Sequence, residues 1–161
     1  MIKYCLLKWD ANKHLLQEAL AHDKKWQQCD YTDLVVAIVN YILNPEIEGI
    51  DNYEYDPNKI TTIDNGDFQG TLLFTIPEDS YQPSANEYLI TFIEYGSCTV
   101  CDTLQSIQDN WDNWDDYLTE QQIKDFMSLC KDIVMNITKP YNRGWRNKEL
   151  FEEVQYKKEE E

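Results

Sequence analysis

Asn65-Gly66 restricts the fold more than any other dipeptide in the chain. It lies within Asp64-Asn65-Gly66-Asp67, between extended, β-branched and aromatic runs at residues 59–63 and 68–76. That arrangement predicts an antiparallel hairpin closed by a type I′ turn, whose central residues need positive φ. Pro77 and Pro83 bound the next connection. Residues 87–95 then form a third alternating run, with Leu89, Thr91, Ile93 and Tyr95 on one face. Three strands joined in sequence make an antiparallel meander with one face available to helices.

Helical periodicity brackets this sheet. Asp10 or Asn12 is a candidate N-cap for a helix with Leu15, Leu16, Ala19 and Leu20 on its apolar face, running toward Trp26. Residues 2–9 read either as a strand or as earlier helical turns. A start at Asp30, Thr32 or Asp33 opens the run 34–43, apolar almost all round and expected as a central buried helix. Asn44-Pro45 stops it. Residues 102–107 read as a short helix. Thr119, with Gln122 three residues on, forms a capping box for a long helix ended by Pro140. Its stripe is Ile123, Phe126, Met127, Cys130, Ile133, Val134 and Ile137. The expected class is α+β, a small three-stranded antiparallel meander packed against N-terminal and C-terminal helices. At 161 residues, a single domain over 1–148 with a charged tail at 149–161 suits one hydrophobic core.

The formal net charge is −16, and all of it comes from residues 44–120, where 17 carboxylates face Lys59 alone. Such a one-signed block is either a solvated, solubilising surface or a field that attracts a basic partner. Phosphates are bound through Lys and Arg, so nucleic acid is not expected as a direct ligand. No run approaches the roughly 18 apolar residues of a membrane span, and no secretory leader is read at the N-terminus. With 42% hydrophobic and 13% aromatic residues, the chain has too much to bury for a disordered acidic tail.

Five cysteines without a leader point to a reducing compartment. Cys5 and Cys130 lie in apolar patterns and are expected in the core, whereas Cys29 shows no role. Cys98 and Cys101 form a C-x-x-C where a strand meets a helix. A helix N-terminus can stabilise a thiolate, although Asp102 beside the pair opposes one. The pair supplies half a zinc site, with no second pair at ligand spacing, and His14 and His22 are expected to be exposed. The expectation is a structural turn with semi-buried thiols; a metal or redox centre at Cys98 and Cys101 is the alternative.

The run Tyr95-Gly96-Ser97-Cys98-Thr99-Val100-Cys101-Asp102-Thr103-Leu104-Gln105 resembles a segment of small, uncharacterised proteins of tailed bacteriophages. Phe68-Gln69-Gly70-Thr71-Leu72-Leu73-Phe74 is similar to the same group. The resemblance brings no activity with it. It implies a phage-encoded protein working in the cytoplasm of a bacterial host.

Asp109-Asn110-Trp111-Asp112-Asn113-Trp114-Asp115-Asp116-Tyr117 places acids and tryptophans each three apart. An EF-hand does not fit, because Trp111 and Trp114 occupy positions that need an oxygen ligand and a glycine. Nor is a Ser, Cys or His placed to complete a catalytic constellation with these carboxylates. The tryptophans either fold onto the core or, amid the acids, anchor a basic protein surface. The leading functional expectation is therefore an inhibitory binding protein that imitates nucleic acid and blocks a basic host nuclease or other nucleic-acid-binding effector. Its expected contact residues are Asp109, Trp111, Asp112, Trp114, Asp115 and Asp116, with the loop acids Glu46, Glu48, Asp51, Glu54 and Asp56. No catalytic residue and no cofactor are expected. A virion or assembly component remains a further alternative.

Overall fold

The first helix begins well before its apolar pattern does. In the computed structural model, which describes residues 1–108 and 116–140, α1 spans Ile2–His22. Its buried positions are Cys5, Lys8, Trp9, Asn12, Leu16 and Leu20, spaced three and four apart on one face. Lys8 interrupts that stripe chemically, which leaves residues 2–9 readable as a strand or as helical turns from hydropathy; they are helical. Asp10 and Asn12 are interior residues rather than N-caps. Asn12 points inward, donating its amide to the Ile42 carbonyl at 2.9 Å.

Asp30 is the cap of the second helix. It accepts the Asp33 amide while the Asp33 carboxylate accepts the Asp30 amide, each at 2.9 Å. α2 (Tyr31–Ile38) widens into a π turn over Val39–Leu43, closed by the Asn44 amide on the Val39 carbonyl. Leu34, Val35, Ile38, Val39, Ile42 and Leu43 have no solvent exposure, so this is the central helix that the apolar run predicts. Pro45, lacking an amide hydrogen, cannot extend it.

β1 (Thr61–Asp64), β2 (Gly70–Pro77) and β3 (Tyr88–Tyr95) form an antiparallel sheet in that order. The hairpin is present, but its turn is not type I′. Five residues connect β1 to β2, and among the described residues the glycine with positive φ is Gly49, not Gly66. Side chains set this longer loop: Asn65 Oδ1 accepts the Thr71 amide at 2.7 Å, and Asp64 Oδ1 accepts the Gly66 amide at 3.0 Å. Glycine is required at 66 for another reason, since a Cβ there would overlap the Gln69 carbonyl.

The inner sheet face carries Phe74, Ile76, Leu89, Thr91 and Ile93 into the core, with Tyr95 half-buried at its end. α4 (Glu120–Met135) lies against it, and the Thr91 hydroxyl donates to the Ile133 carbonyl at 2.8 Å. The Thr119–Gln122 capping box is formed as expected. Gln122 also exchanges amide hydrogen bonds with buried Gln27 at 3.1 and 3.2 Å, pinning the start of α4 to the turn between α1 and α2. The helix ends before Ile137. Thr138 has left it to exchange both backbone hydrogen bonds with Ile90, at 2.8 and 2.9 Å, which carries Ile137 into the core outside the helix. α3 (Thr103–Gln108) buries Leu104 in the same core and packs beside α4.

Two outcomes follow from this core. Ile133→Ala, at a position 2% exposed, should cost about 2–4 kcal/mol in denaturant unfolding, through lost transfer energy plus a cavity; an unchanged midpoint would contradict this packing. Burial also pushes the thiol of Cys5 up to about 11 and that of Cys29 up to about 12, and raises Cys130 as well. An unfolded thiol ionises near 8.5. Above that pH the unfolded chain has released protons that the folded chain keeps, so stability should fall as pH rises from about 8.5 to 10. Lys8 opposes this trend, because burial lowers its pKa and the folded state sheds its proton first. Three thiols outweigh one amine, and a Cys5→Ala/Cys130→Ala variant should show a shallower decline over the same window.

Candidate functional site

The acidic loop expected to meet a partner is held chiefly by hydrogen bonds from Asn44, Asn52 and Lys8. Asn44 ties its ends, donating to the Tyr55 carbonyl and accepting the Tyr55 amide, each at 2.9 Å. Asn52 ties its middle, accepting the Ile47 amide at 3.0 Å and donating to the Ile47 carbonyl at 2.9 Å. Beneath it, the fully buried Lys8 donates to the Pro45 carbonyl at 2.8 Å and to Asn52 Oδ1 at 2.6 Å. Burial lowers the pKa of this ammonium, and the charge of Glu46 works against that shift. Gly49 supplies the left-handed bend, at φ +87, on the outside of the loop. The result is an Ω-like loop with closed ends and a fixed interior.

The sheet brings further acids to this loop. Tyr55 bridges to Glu78, the Asp79 amide donates to the Glu54 carbonyl, and the Glu78 amide donates to the Glu87 carbonyl, the last two at 2.8 Å. Glu54, Asp56, Glu78, Asp79 and Glu87 are thereby brought together beside the loop that carries Glu46, Glu48 and Asp51. Burial raises the pKa of Glu78, and the neighbouring Glu87 adds to the rise while Lys139 opposes it. Glu78, Asp79 and Glu87 are the residues missed from sequence. Their signal is the meander itself, because acids just after β2 and just before β3 must meet where Pro77 pairs with Tyr88.

These carboxylates divide by occupation. Asp56 caps the turn at Pro57–Lys59 and pairs with Lys59 at 3.2 Å, while Glu87 closes a capping box with Ser84. Both have their pKa lowered by these hydrogen bonds. The side chains of Glu46, Glu48, Asp51, Glu54 and Asp79 make no hydrogen bond or ion pair among the described residues, and all five are exposed. That free set is available to a partner.

The opposite end of the sheet holds the cysteine pair and a shallow groove of about 310 Å³. Asp30, Asp64 and Asp102 line it with Tyr31 and Tyr95. The Tyr95 hydroxyl donates to Asp64 at 2.7 Å, which lowers the carboxylate pKa and pushes the phenol up to about 12. Asp102 is buried, accepting from Tyr31 at 3.1 Å, from the Gly96 amide at 3.1 Å and from the Gln105 amide at 2.9 Å. It caps α3 and faces inward, so it is not placed to oppose a thiolate as the sequence suggests.

Cys98 and Cys101 are exposed, not semi-buried. Cys101 Sγ accepts the Cys98 amide at 3.2 Å, and its pKa is lowered chiefly by the hydrogen bond from the Cys98 thiol. Among the described residues no group of three or more His, Cys, Asp or Glu side chains is arranged to hold a metal ion. Nor is any described helix long and apolar enough to cross a membrane. Asp116 is exposed. Asp109, Trp111, Asp112, Trp114 and Asp115 lie outside the described residues, as does the tail at 149–161.

The Lys8 anchor makes an asymmetric expectation. Lys8→Met retains the buried stem and leaves both acceptors a second donor, the Asn12 amide on Pro45 and the Ile47 amide on Asn52. Stability should change by no more than about 1 kcal/mol, since removing a buried charge offsets the lost hydrogen bonds. Asn52→Ala strips the ammonium of its shortest partner and also releases the Ile47 amide and carbonyl, and should cost about 2–3 kcal/mol. Equal costs in thermal or denaturant unfolding would mean that the ammonium does not depend on Asn52.

Compared with known proteins, the chain matches no family model, no curated protein and no solved structure at a significant level.

Proposed function

We propose that this chain is an acidic inhibitory binding protein of the nucleic-acid-mimic type. It occupies the basic groove of a nucleic-acid-binding host protein, such as a CRISPR or restriction effector. The observation that carries the reading is the convergence of three chain segments into one acidic end, with exposed carboxylates that have no internal partner. Exposed, unpaired charge on a fixed loop loses little ordering entropy on docking and steers a cationic partner at long range. The resemblance of residues 68–74 and 95–105 to tailed-phage proteins makes the chain phage-encoded in this reading, and its place of action the host bacterial cytoplasm.

The second acidic end, with Asp64 and Asp67 at the hairpin, lies a strand's length away. β2 has eight residues, so the two ends are about 25 Å apart at the usual rise. Nucleic acid likewise presents charge at more than one point along a groove, so two separated patches suit an extended basic channel better than a single cationic spot.

The test uses the full chain as bait in bacterial lysate at low and high salt, beside a Glu46→Gln/Glu48→Gln/Asp51→Asn/Glu54→Gln variant. None of the four changed side chains makes a hydrogen bond or ion pair among the described residues, so thermal stability should stay close to wild type. Association with the captured basic protein should slow at least about tenfold at low ionic strength, and the two forms should converge at high salt. Added DNA or RNA should displace the wild-type chain. An unchanged capture profile, or capture indifferent to both salt and nucleic acid, would overturn the reading.

A further inference from the structure

We propose that Cys98 and Cys101 are a dithiol–disulfide modification site, closed to an intramolecular disulfide by a low-molecular-weight disulfide of the glutathione class. The two Sγ atoms lie 3.0 Å apart on an exposed turn. A disulfide bond is about 2.04 Å long, so closure asks for roughly 1 Å of approach. Two thiolates on one tetrahedral zinc, each at about 2.3 Å, stand about 3.8 Å apart. The pair stands between these two separations, and among the described residues no third His, Cys, Asp or Glu side chain is arranged to complete a metal site, which favours the covalent product.

The turn fixes this approach. Both the Cys101 and Asp102 amides donate to the Cys98 carbonyl, at 3.0 and 2.9 Å. Gly96 lies against the other side of Cys101, where an added Cβ would come within 2.5 Å of its Sγ. Gly96 thus lets Cys101 fold back toward Cys98. Val100, between the two cysteines, is 95% exposed, so a bulky disulfide can reach the pair. Cys5, Cys29 and Cys130 are buried, which separates this pair from the other thiols of the chain.

The chemistry balances in two exchanges. The Cys101 thiolate, favoured by the hydrogen bonds it accepts, attacks one sulfur of the small disulfide, whose S–S bond breaks and releases one thiolate. The Cys98 thiol then gives its proton to solvent and attacks Cys101 Sγ in the mixed disulfide, expelling the second small thiolate. Two protein thiols are oxidised and one small disulfide is reduced to two thiols.

Because Asp102 belongs to the same turn and caps α3, the closed form holds that turn covalently beside the groove. This site does not depend on the acidic end, and its test is independent of any partner.

The full chain is incubated with glutathione disulfide and followed by intact mass and peptide mapping, with a parallel titration by zinc alone. The wild type should lose two hydrogens, about 2 Da, in a Cys98–Cys101 cross-link reversed by dithiothreitol. Cys98→Ser and Cys101→Ser should each retain one glutathione on the remaining thiol, with folding verified by thermal unfolding. Gly96→Ala keeps both thiols but displaces Cys101, and should accumulate mixed disulfide by slowing the second exchange several-fold. Wild-type chain that stays reduced or keeps its glutathione, a Gly96→Ala variant that closes as fast as wild type, or one zinc held per chain that blocks oxidation would overturn the proposal.

Discussion

A buried lysine without a carboxylate partner joins the helical core to the acidic surface. Lys8 occupies a core-facing position of α1, and its ammonium is received by a backbone carbonyl and an amide oxygen of the loop above. A charged donor strengthens each of these hydrogen bonds relative to a neutral pair. Desolvation works against them, so the arrangement defines position more than it adds stability. Asn12, one turn along, repeats the device with the Ile42 and Pro45 carbonyls and joins the π turn after α2 to the same face. Without these two residues the central helix and the loop would meet α1 through apolar contact alone, which does not fix register.

Acidic residues here divide into those that build the fold and those that leave its surface charged. Asp30, Asp33, Asp56, Asp64, Glu87 and Asp102 all accept backbone amides at helix starts and turns, the places where an unpaired N–H needs an acceptor. Glu46, Glu48, Asp51, Glu54 and Asp79 do not, and their mutual repulsion is a cost to the folded state. Composition counts the two groups alike. Only the hydrogen-bond pattern separates the acids that cap turns from those whose side chains stay unpaired among the described residues.

The helices and strands were legible where apolar residues recur at one period and a single cap is offered. Thr119 with Gln122, the all-apolar run after Asp30, and the alternation of Leu89, Thr91 and Ile93 each state their element plainly. The start of α1 stays ambiguous in the sequence, and Asn12 misreads as a cap, where polar side chains are buried, as Lys8 and Asn12 are in α1. Legibility failed at Asn65-Gly66, where the two-residue turn signal is overridden because Asn65 bonds six residues ahead to Thr71. The acidic end was half legible. The loop acids are contiguous in sequence, whereas Glu78, Asp79 and Glu87 join them only once the pairing of β2 with β3 in the meander is followed to its end. Thiol exposure at Cys98 and Cys101 was not legible either, since it depends on Asp102 turning inward and leaving the outside of the turn to sulfur.

The two proposed roles would make different physical demands on the two ends of the sheet, and the meander keeps those ends apart. A surface that meets a cationic groove works best when its backbone is already ordered, because each residue ordered on docking weakens the complex. The loop satisfies this through Asn44, Asn52 and Lys8, none of which contributes negative charge. A thiol pair that opens and closes needs an exposed turn that shifts by roughly 1 Å without disturbing the core. Residues 96–102 meet that need at the far end of β3, where Asp102 anchors one side and Val100 projects into solvent. Between them, β2 and β3 pair along all eight residues of each strand, so movement at the cysteine turn meets a continuous ladder before it reaches the acidic loop. That separation would let the proposed charge and thiol roles vary independently within one small domain.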